Sequence, residues 1–277
     1  MSQYRGTTPL IVAKKNDRTN CPVCGMEVMI VRDVHGNARR YRALIAGEAI
    51  QGSLKPQDPE VAERLREQRK GKKTVALVGL SPSSCSKAPW DDMDVEIWGL
   101  NEAHAFTWMK RATRWIQIHC NKSWKRPIAK RDVRGHYDWL RKNPWNIPIY
   151  MQHWNEEIPN VVEYPLHAIY KMFLGNFWRG DKHVKYFTST LAYMIALALY
   201  EGRHGVLNEK PFDRIELYGF DLSDDVEYVK QKACAEFWIG MAMGMGVEVW
   251  SPENCQILWS ALYGGHELGD GWQADEE

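Results

Sequence analysis

The chain has 277 residues, a net charge of +1, 44% hydrophobic and 26% charged residues, which excludes a disordered or collagen-like polymer and suits one large α/β domain with an appendage. No stretch approaches the roughly 20 apolar residues that span a bilayer, and no apolar run follows the first basic residues as in a signal peptide. The six cysteines are scattered, which points to a reducing cytoplasm and not to a disulfide framework.

Residues 1–72 read as a small N-terminal region. Cys21-Pro-Val-Cys24-Gly has the form of a knuckle that presents two thiolates to zinc. A closed site needs four ligands; His35 offers a third, and the alternative is a plain turn with two reduced thiols. A hairpin is predicted over Glu27–Arg32, returning through His35-Gly36-Asn37. A charged helix at Pro59–Gln68 and the run Arg69-Lys70-Gly71-Lys72-Lys73 place the boundary near residue 72.

From Thr74 the pattern changes. Thr74–Gly79 is an uninterrupted β-branched and apolar run, as in a strand buried on both faces of a parallel sheet. Further short runs at Val95–Leu100, Arg114–His119, Ile147–Met151, Arg214–Tyr218 and Val247–Trp250 predict more strands. Helices are expected at Asp132–Lys142, Thr188–Glu201 and Ser223–Met245. The alternation predicts a Rossmann-like, doubly wound, mostly parallel sheet over residues 73–265, followed by an acidic tail, 266–277.

Ligands of such sheets lie beyond the carboxyl ends of the strands. The first strand leads into Gly79-Leu80-Ser81-Pro82-Ser83-Ser84, whose small residues admit an anion to backbone N–H groups. This loop is neither GxGxxG nor a Walker loop, which disfavours a nicotinamide cofactor or a P-loop ATPase. Asn101 follows the second strand, His119 ends the third, and Gly219-Phe220-Asp221 follows the fifth. Thr188-Ser189-Thr190 opens an almost wholly apolar helix, either as a simple cap or as an anion site built on free amides and the helix dipole.

In this order the motifs Val78-Gly79-x-Ser-Pro-Ser, Trp98-Gly99-Leu100-Asn101, Phe187-Thr188-Ser189-Thr190-x-Ala-Tyr-Met and Ile215–Asp221 resemble the bacterial sialyltransferase-like glycosyltransferases and related uncharacterised Rossmann proteins of phages. The resemblance implies that Gly79, Ser81, Ser83, Ser84 and Asn101 hold the nucleotide of an activated sugar. It also implies that Thr188, Ser189, Thr190 and Gly219 line the cleft and that Tyr228 holds a donor phosphate. The family carries a catalytic histidine before the last long helix, where this chain reads Ser223-Asp224-Asp225-Val226-Glu227-Tyr228. That departure argues against a sialic-acid donor and puts the base elsewhere.

His119 or Asp221 is expected to act as base, with Glu227 flanking the crevice. The plainer alternatives are a backbone-bonded histidine and capping acids. Asp92-Met93-Asp94 precedes a strand and reads as a solvated turn, so metal-independent transfer is expected, with Lys122, Arg126 or Arg179 offsetting the leaving charge. Between Met109 and Lys142 eleven Lys/Arg face two acids, and Trp108, Trp115 and Trp124 interleave with them. This suits DNA, or else a solvated cationic face over packed tryptophans. The resulting expectation is a cytoplasmic, phage-type glycosyltransferase that modifies a hydroxylated DNA base. The rivals are a diphosphokinase or nucleotide hydrolase, and a non-enzymatic protein that sequesters a nucleotide signal against host defence.

Overall fold

The computed structural model describes residues 18–20, 27–32, 38–43, 57–81, 84–119, 135–204, 210–220, 226–253, 255 and 257–258. The chain separates into two compact units, Met1–Leu54 and Lys55–Glu277. In the first, β1 (Arg18–Asn20), β2 (Glu27–Arg32) and β3 (Ala38–Ala43) form an antiparallel sheet, with β2 central and an irregularity between Val31 and Arg32. The Cys21–Cys24 knuckle and His35 lie outside the described residues.

The second unit opens with α1 (Pro59–Arg69). Asp58 caps it, its Oδ1 accepting from the amides of Glu60 and Val61 at 2.9 and 3.3 Å. Then come β4 (Thr74–Val78), β5 (Val95–Leu100), β6 (Arg114–Gln117), α2 (His136–Lys142), β7 (Ile149–Met151) and β8 (Val161–Glu163). After α3 (Leu166–Phe173) a small hairpin, β9 (Trp178–Arg179) and β10 (Lys182–His183), leads into α4 (Thr190–His204). The unit closes with β11 (Arg214–Tyr218), α5 (Val226–Gly244) and β12 (Glu248–Trp250).

Seven strands form one sheet in the order β12-β11-β4-β5-β6-β7-β8, and every pairing is parallel. The chain begins in the interior at β4, runs outward to β8, then returns to the other side of β4 as β11. The direction of winding therefore reverses between β4 and β11, which makes the fold Rossmann-like and doubly wound. All five residues of β4 are buried, as its Thr-Val-Ala-Leu-Val run requires.

Alternate strand residues face one layer: Val75, Leu77, Trp98, Leu100, Ile116, Ile215 and Leu217 pack in one core with α4 and α5. α4 is apolar around nearly its whole girth, and Leu191 through Leu199 are buried except for half-buried Tyr193. Each of its large aliphatic side chains contributes about 1.5–3 kcal/mol by leaving water, so Leu197→Asp is the single change expected to undo this layer. On the opposite face the polar residues of β11 meet α1. No helix among the described residues is long and apolar enough to cross a membrane.

Of the described tryptophans of this stretch, Trp108 and Trp115 are buried and Trp139 is half-buried. Trp115 is fully buried, Trp108 is 7% exposed, and Trp139 packs on Trp115 with centroids 4.5 Å apart. Arg111 donates to the carbonyls of Trp90 and Val95 at 3.0 Å each, and Arg114 pairs with Glu96 at 3.1 Å. Residues 120–134, with Lys122, Trp124 and Arg126, lie outside the described residues, as does the acidic tail.

Candidate functional site

The carboxyl ends of β4 and β11 meet at the winding reversal. Ser81 donates its amide to the carbonyl of Gly219 at 2.9 Å, and Ser84 Oγ accepts the Gly219 amide at 2.8 Å. Gly219 has φ +71°, a conformation that L side chains rarely adopt. A Cβ on Gly79 would lie 2.3 Å from the Gly219 carbonyl oxygen and 2.7 Å from the Phe220 ring. Both glycines are required by this close approach. Gly79, Ser81, Ser84 and Gly219, singled out from the sequence, are thus brought together, and part of their polar capacity ties the two loops to each other. Ser83 and Asp221 lie outside the described residues.

Two strands further on, Asn101 and His119 meet: Nδ1 of His119 lies 3.0 Å from Oδ1 of Asn101. Asn101 is 9% exposed and sits at φ +46°, a left-handed conformation that asparagine tolerates better than other side chains. Its own carbonyl accepts from Trp115 Nε1 at 3.2 Å, so the backbone is fixed as well as the amide. Because the amide oxygen only accepts, it fixes the proton on Nδ1 and leaves Nε2 as the basic nitrogen of the ring. His119 itself is exposed to solvent.

Behind this pair lies a chain that the sequence does not announce. Nε2 of Gln117 is 2.9 Å from Nε2 of His136, whose Nδ1 is 2.8 Å from Nε2 of His104. The imidazoles of His104 and His136 stack with planes 10° apart, and His104 stacks in turn on Trp139 at 4.4 Å. His136 is 1% exposed. Burial, and after it the nearby His104 and His119, depress its pKa to about 3. A neutral His136 that accepts from the Gln117 amide must donate from Nδ1 to His104, which gives the chain one direction. Gln117 Oε1 is buried and has no hydrogen-bond partner.

α4 runs antiparallel to the strands, so its amino end lies on this same edge. Ser189 Oγ accepts the Ala192 amide at 3.2 Å and caps the helix. Thr188 is tied to α5, its hydroxyl donating to the Lys230 carbonyl at 2.9 Å and its amide approaching Cys234 Sγ at 3.3 Å. Thr190 is the first helical residue. Between this helix and the ends of β6 and β7 opens a cavity of about 260 Å³, lined by Ile118, Gln152, His153, Tyr164, Leu166 and Tyr193. Ile118 directly precedes His119. Tyr164 is committed, donating its hydroxyl to the Tyr193 carbonyl at 2.9 Å, and burial pushes its pKa well up.

Glu227 and Tyr228 fall in the first turn of α5, and their side chains lie outside the described residues. Arg179 is on the exposed β9–β10 hairpin. Asp92 is not a solvated turn residue: it is 14% exposed and pairs with Arg69 at 3.2 Å. Among the described residues no group of three or more His, Cys, Asp or Glu is placed to hold a metal ion.

The sequence matches no family model and, at a significant level, no curated protein. Among solved structures the chain is similar to the sialyltransferase CstII from Campylobacter jejuni, determined in complex with a substrate analogue, cytidine-5'-monophosphate. The TM-score is 0.39 with 10% identity, over 66% of this chain and 80% of that one.

Proposed function

We propose that the protein is a glycosyltransferase that moves a sugar from a nucleotide-activated donor to a hydroxyl acceptor, with His119 as general base. The observation that carries this reading is the 3.0 Å contact between His119 Nδ1 and Asn101 Oδ1 at the carboxyl edge of the sheet. It presents the basic Nε2 of an exposed imidazole where a doubly wound sheet receives its ligand. In the reaction Nε2 takes the acceptor's hydroxyl proton, the oxygen bonds to the anomeric carbon, and the bond from that carbon to the donor phosphate breaks. The departing nucleotide phosphate carries the charge. The amino end of α4, with Thr188, Ser189 and Thr190, supports that anion through amides and helix dipole. Ser81 and Ser83 on the first loop, and Asp221, Glu227 and Tyr228 after β11, complete the donor side in this reading. No metal step is invoked, and the CxxC knuckle is assigned at most a structural zinc.

A hydroxylated base in DNA, as in phage DNA hypermodification, is the first acceptor to test. The protein is incubated with uridine-, guanosine- and cytidine-activated sugars and either hydroxymethylated or plain DNA. The nucleosides are then read by mass. Transfer that falls by about 10²–10⁴-fold in His119→Ala supports the reading. ATP turnover with no need for sugar would replace it with a nucleotide hydrolase or diphosphokinase. Tight nucleotide retention without turnover, unchanged in His119→Ala and Asp221→Asn, would replace it with a sequestering protein.

A further inference from the structure

We infer that the β9–β10 hairpin is a contact surface for single-stranded nucleic acid. The cationic, tryptophan-rich stretch of the sequence buries its described indoles at 108 and 115, yet the chain exposes aromatic area elsewhere. Phe177 and Trp178 are 60% and 54% exposed, although each ring would stabilise the fold if covered. Between Leu166 and Ser189 four Lys/Arg, at 171, 179, 182 and 185, stand against the single acid Asp181. None of the four makes an ion pair among the described residues. Elsewhere on this unit Lys72 and Arg66 do pair.

The pairing of the hairpin distributes these groups. Trp178 lies opposite His183 and Arg179 opposite Lys182, and the Val184 amide extends the ladder by donating to the Phe177 carbonyl at 3.0 Å. Opposite residues share a face and alternate residues change face. One face therefore carries Trp178, His183 and Lys185, the other Phe177, Arg179 and Lys182. On the first, His183 packs on Trp178 with centroids 3.6 Å apart, and Lys185 Nζ lies 5.8 Å from the Tyr170 ring. Each face thus offers an aromatic surface beside cations. A membrane-inserting element separates an apolar face from a charged one, because cations driven below the headgroups lose their water. This hairpin does not separate them. Rings for base stacking, interleaved with cations for phosphates, are what an unpaired strand recognises. In the chain the hairpin stands between α3, whose first residue Leu166 lines the cavity, and Thr188-Ser189 at the start of α4.

The test uses the full chain, no sugar donor, and a labelled oligothymidine in fluorescence anisotropy. This separates it from the transfer assay, since binding can fail while transfer persists and the reverse. Binding is expected at about 50 mM salt, with log K falling linearly in log salt. Trp178→Ala should weaken it by about fivefold or more. Arg179→Ala with Lys182→Ala should flatten the salt slope by about 1.4, since each phosphate contact on a single strand contributes about 0.7. These side chains are exposed, so folding, checked by circular dichroism, is unaffected. Four results overturn the inference: no binding at low salt, binding unchanged in both variants, equal preference for duplex, or binding only to phosphatidylserine vesicles.

Discussion

Among the described residues, two of the buried polar clusters on the sheet solve opposite problems. Where α1 meets β11, every partner is charged or bonded to charge. Glu216, at 0% exposure, accepts from Arg69 Nε and Nη2 at 2.9 and 2.7 Å, from Arg214 Nε at 2.7 Å and from Tyr218 Oη at 2.9 Å. Arg214 reaches on to Glu248, and Arg69 to Asp92. No buried side-chain atom described there lacks a hydrogen-bond partner. At the carboxyl ends of β5 and β6 the groups are amides and imidazoles, Gln117 keeps a buried oxygen without a partner, and His119 opens to solvent. The first cluster fixes α1 to the sheet. The second holds a neutral His136 between an amide and an imidazole in one proton arrangement, beside an exposed His119, which is what an acid–base site needs.

The sharpest way to test that division is to remove one charge. Glu216→Gln leaves two guanidiniums facing a neutral amide in a buried site, and breaking such a pair costs about 3–5 kcal/mol. Urea denaturation should show the unfolding free energy falling by that amount, with a lower midpoint at unchanged slope. A variant as stable as the parent would mean that the network is solvated and does not anchor the helix.

The second cluster should answer to pH instead. His136 titrates near 3 when folded and near 6.5 when unfolded, so between those values the unfolded chain binds the extra proton. Stability is full above about pH 6.5, declines as pH falls, and stops declining below about pH 3. Between pH 6.5 and 5 the loss from this group is about 2 kcal/mol. His136→Gln should remove that share of the slope in parallel urea titrations. An unchanged slope would place the proton uptake elsewhere.

How much of this could be read beforehand differs between the clusters for the same physical reason. The strands announce themselves through local pattern: Thr74–Val78 and Arg214–Tyr218 are short runs bounded by glycine or proline, and they are strands. Asn101 and His119 were legible because strand ends in this fold class receive ligands, and the two side chains do meet. His104 and His136 were not, because they sit 32 residues apart in a short 3-10 turn and at a helix start, and only the fold stacks them. Arg69–Glu216 spans 147 residues, which no local period encodes. The β9–β10 hairpin escaped because two residues per strand carry too little alternation to be distinguished from loop, and β8 because its Val-Val-Glu lacks the longer apolar run that marks Ile147–Met151. The one local signal for the hairpin was Gly180-Asp181, a turn dipeptide.

Asn101 joins the two properties, since its backbone conformation and its amide are separable. Asn101→Gly relieves the left-handed φ yet removes the acceptor for His119 Nδ1–H. Stability should stay within about 1 kcal/mol of the parent. The turnover number should fall about tenfold, because a fraction of the imidazole then carries its proton on the wrong nitrogen. The pH profile of kcat/KM should shift with it. An Asn101→Gly enzyme with undiminished turnover would reduce the contact to packing.

The smallest effect decides between two readings of one serine. Ser189 caps α4, and replacing a cap by alanine costs about 1 kcal/mol. Aspartate caps as well as serine and adds a charge that the helix dipole favours, so Ser189→Asp should be as stable as the parent within about 0.5 kcal/mol. If the residue only caps, kinetics will follow stability, and Ser189→Ala will be the worse enzyme. If the amino end of α4 receives the donor phosphate, the order reverses. The carboxylate then occupies and repels where the anion should sit, so KM for the donor rises about tenfold in Ser189→Asp, more weakly at high salt, while Ser189→Ala keeps its KM. Stability and KM moving in opposite directions at one position is an outcome that a purely structural cap does not produce.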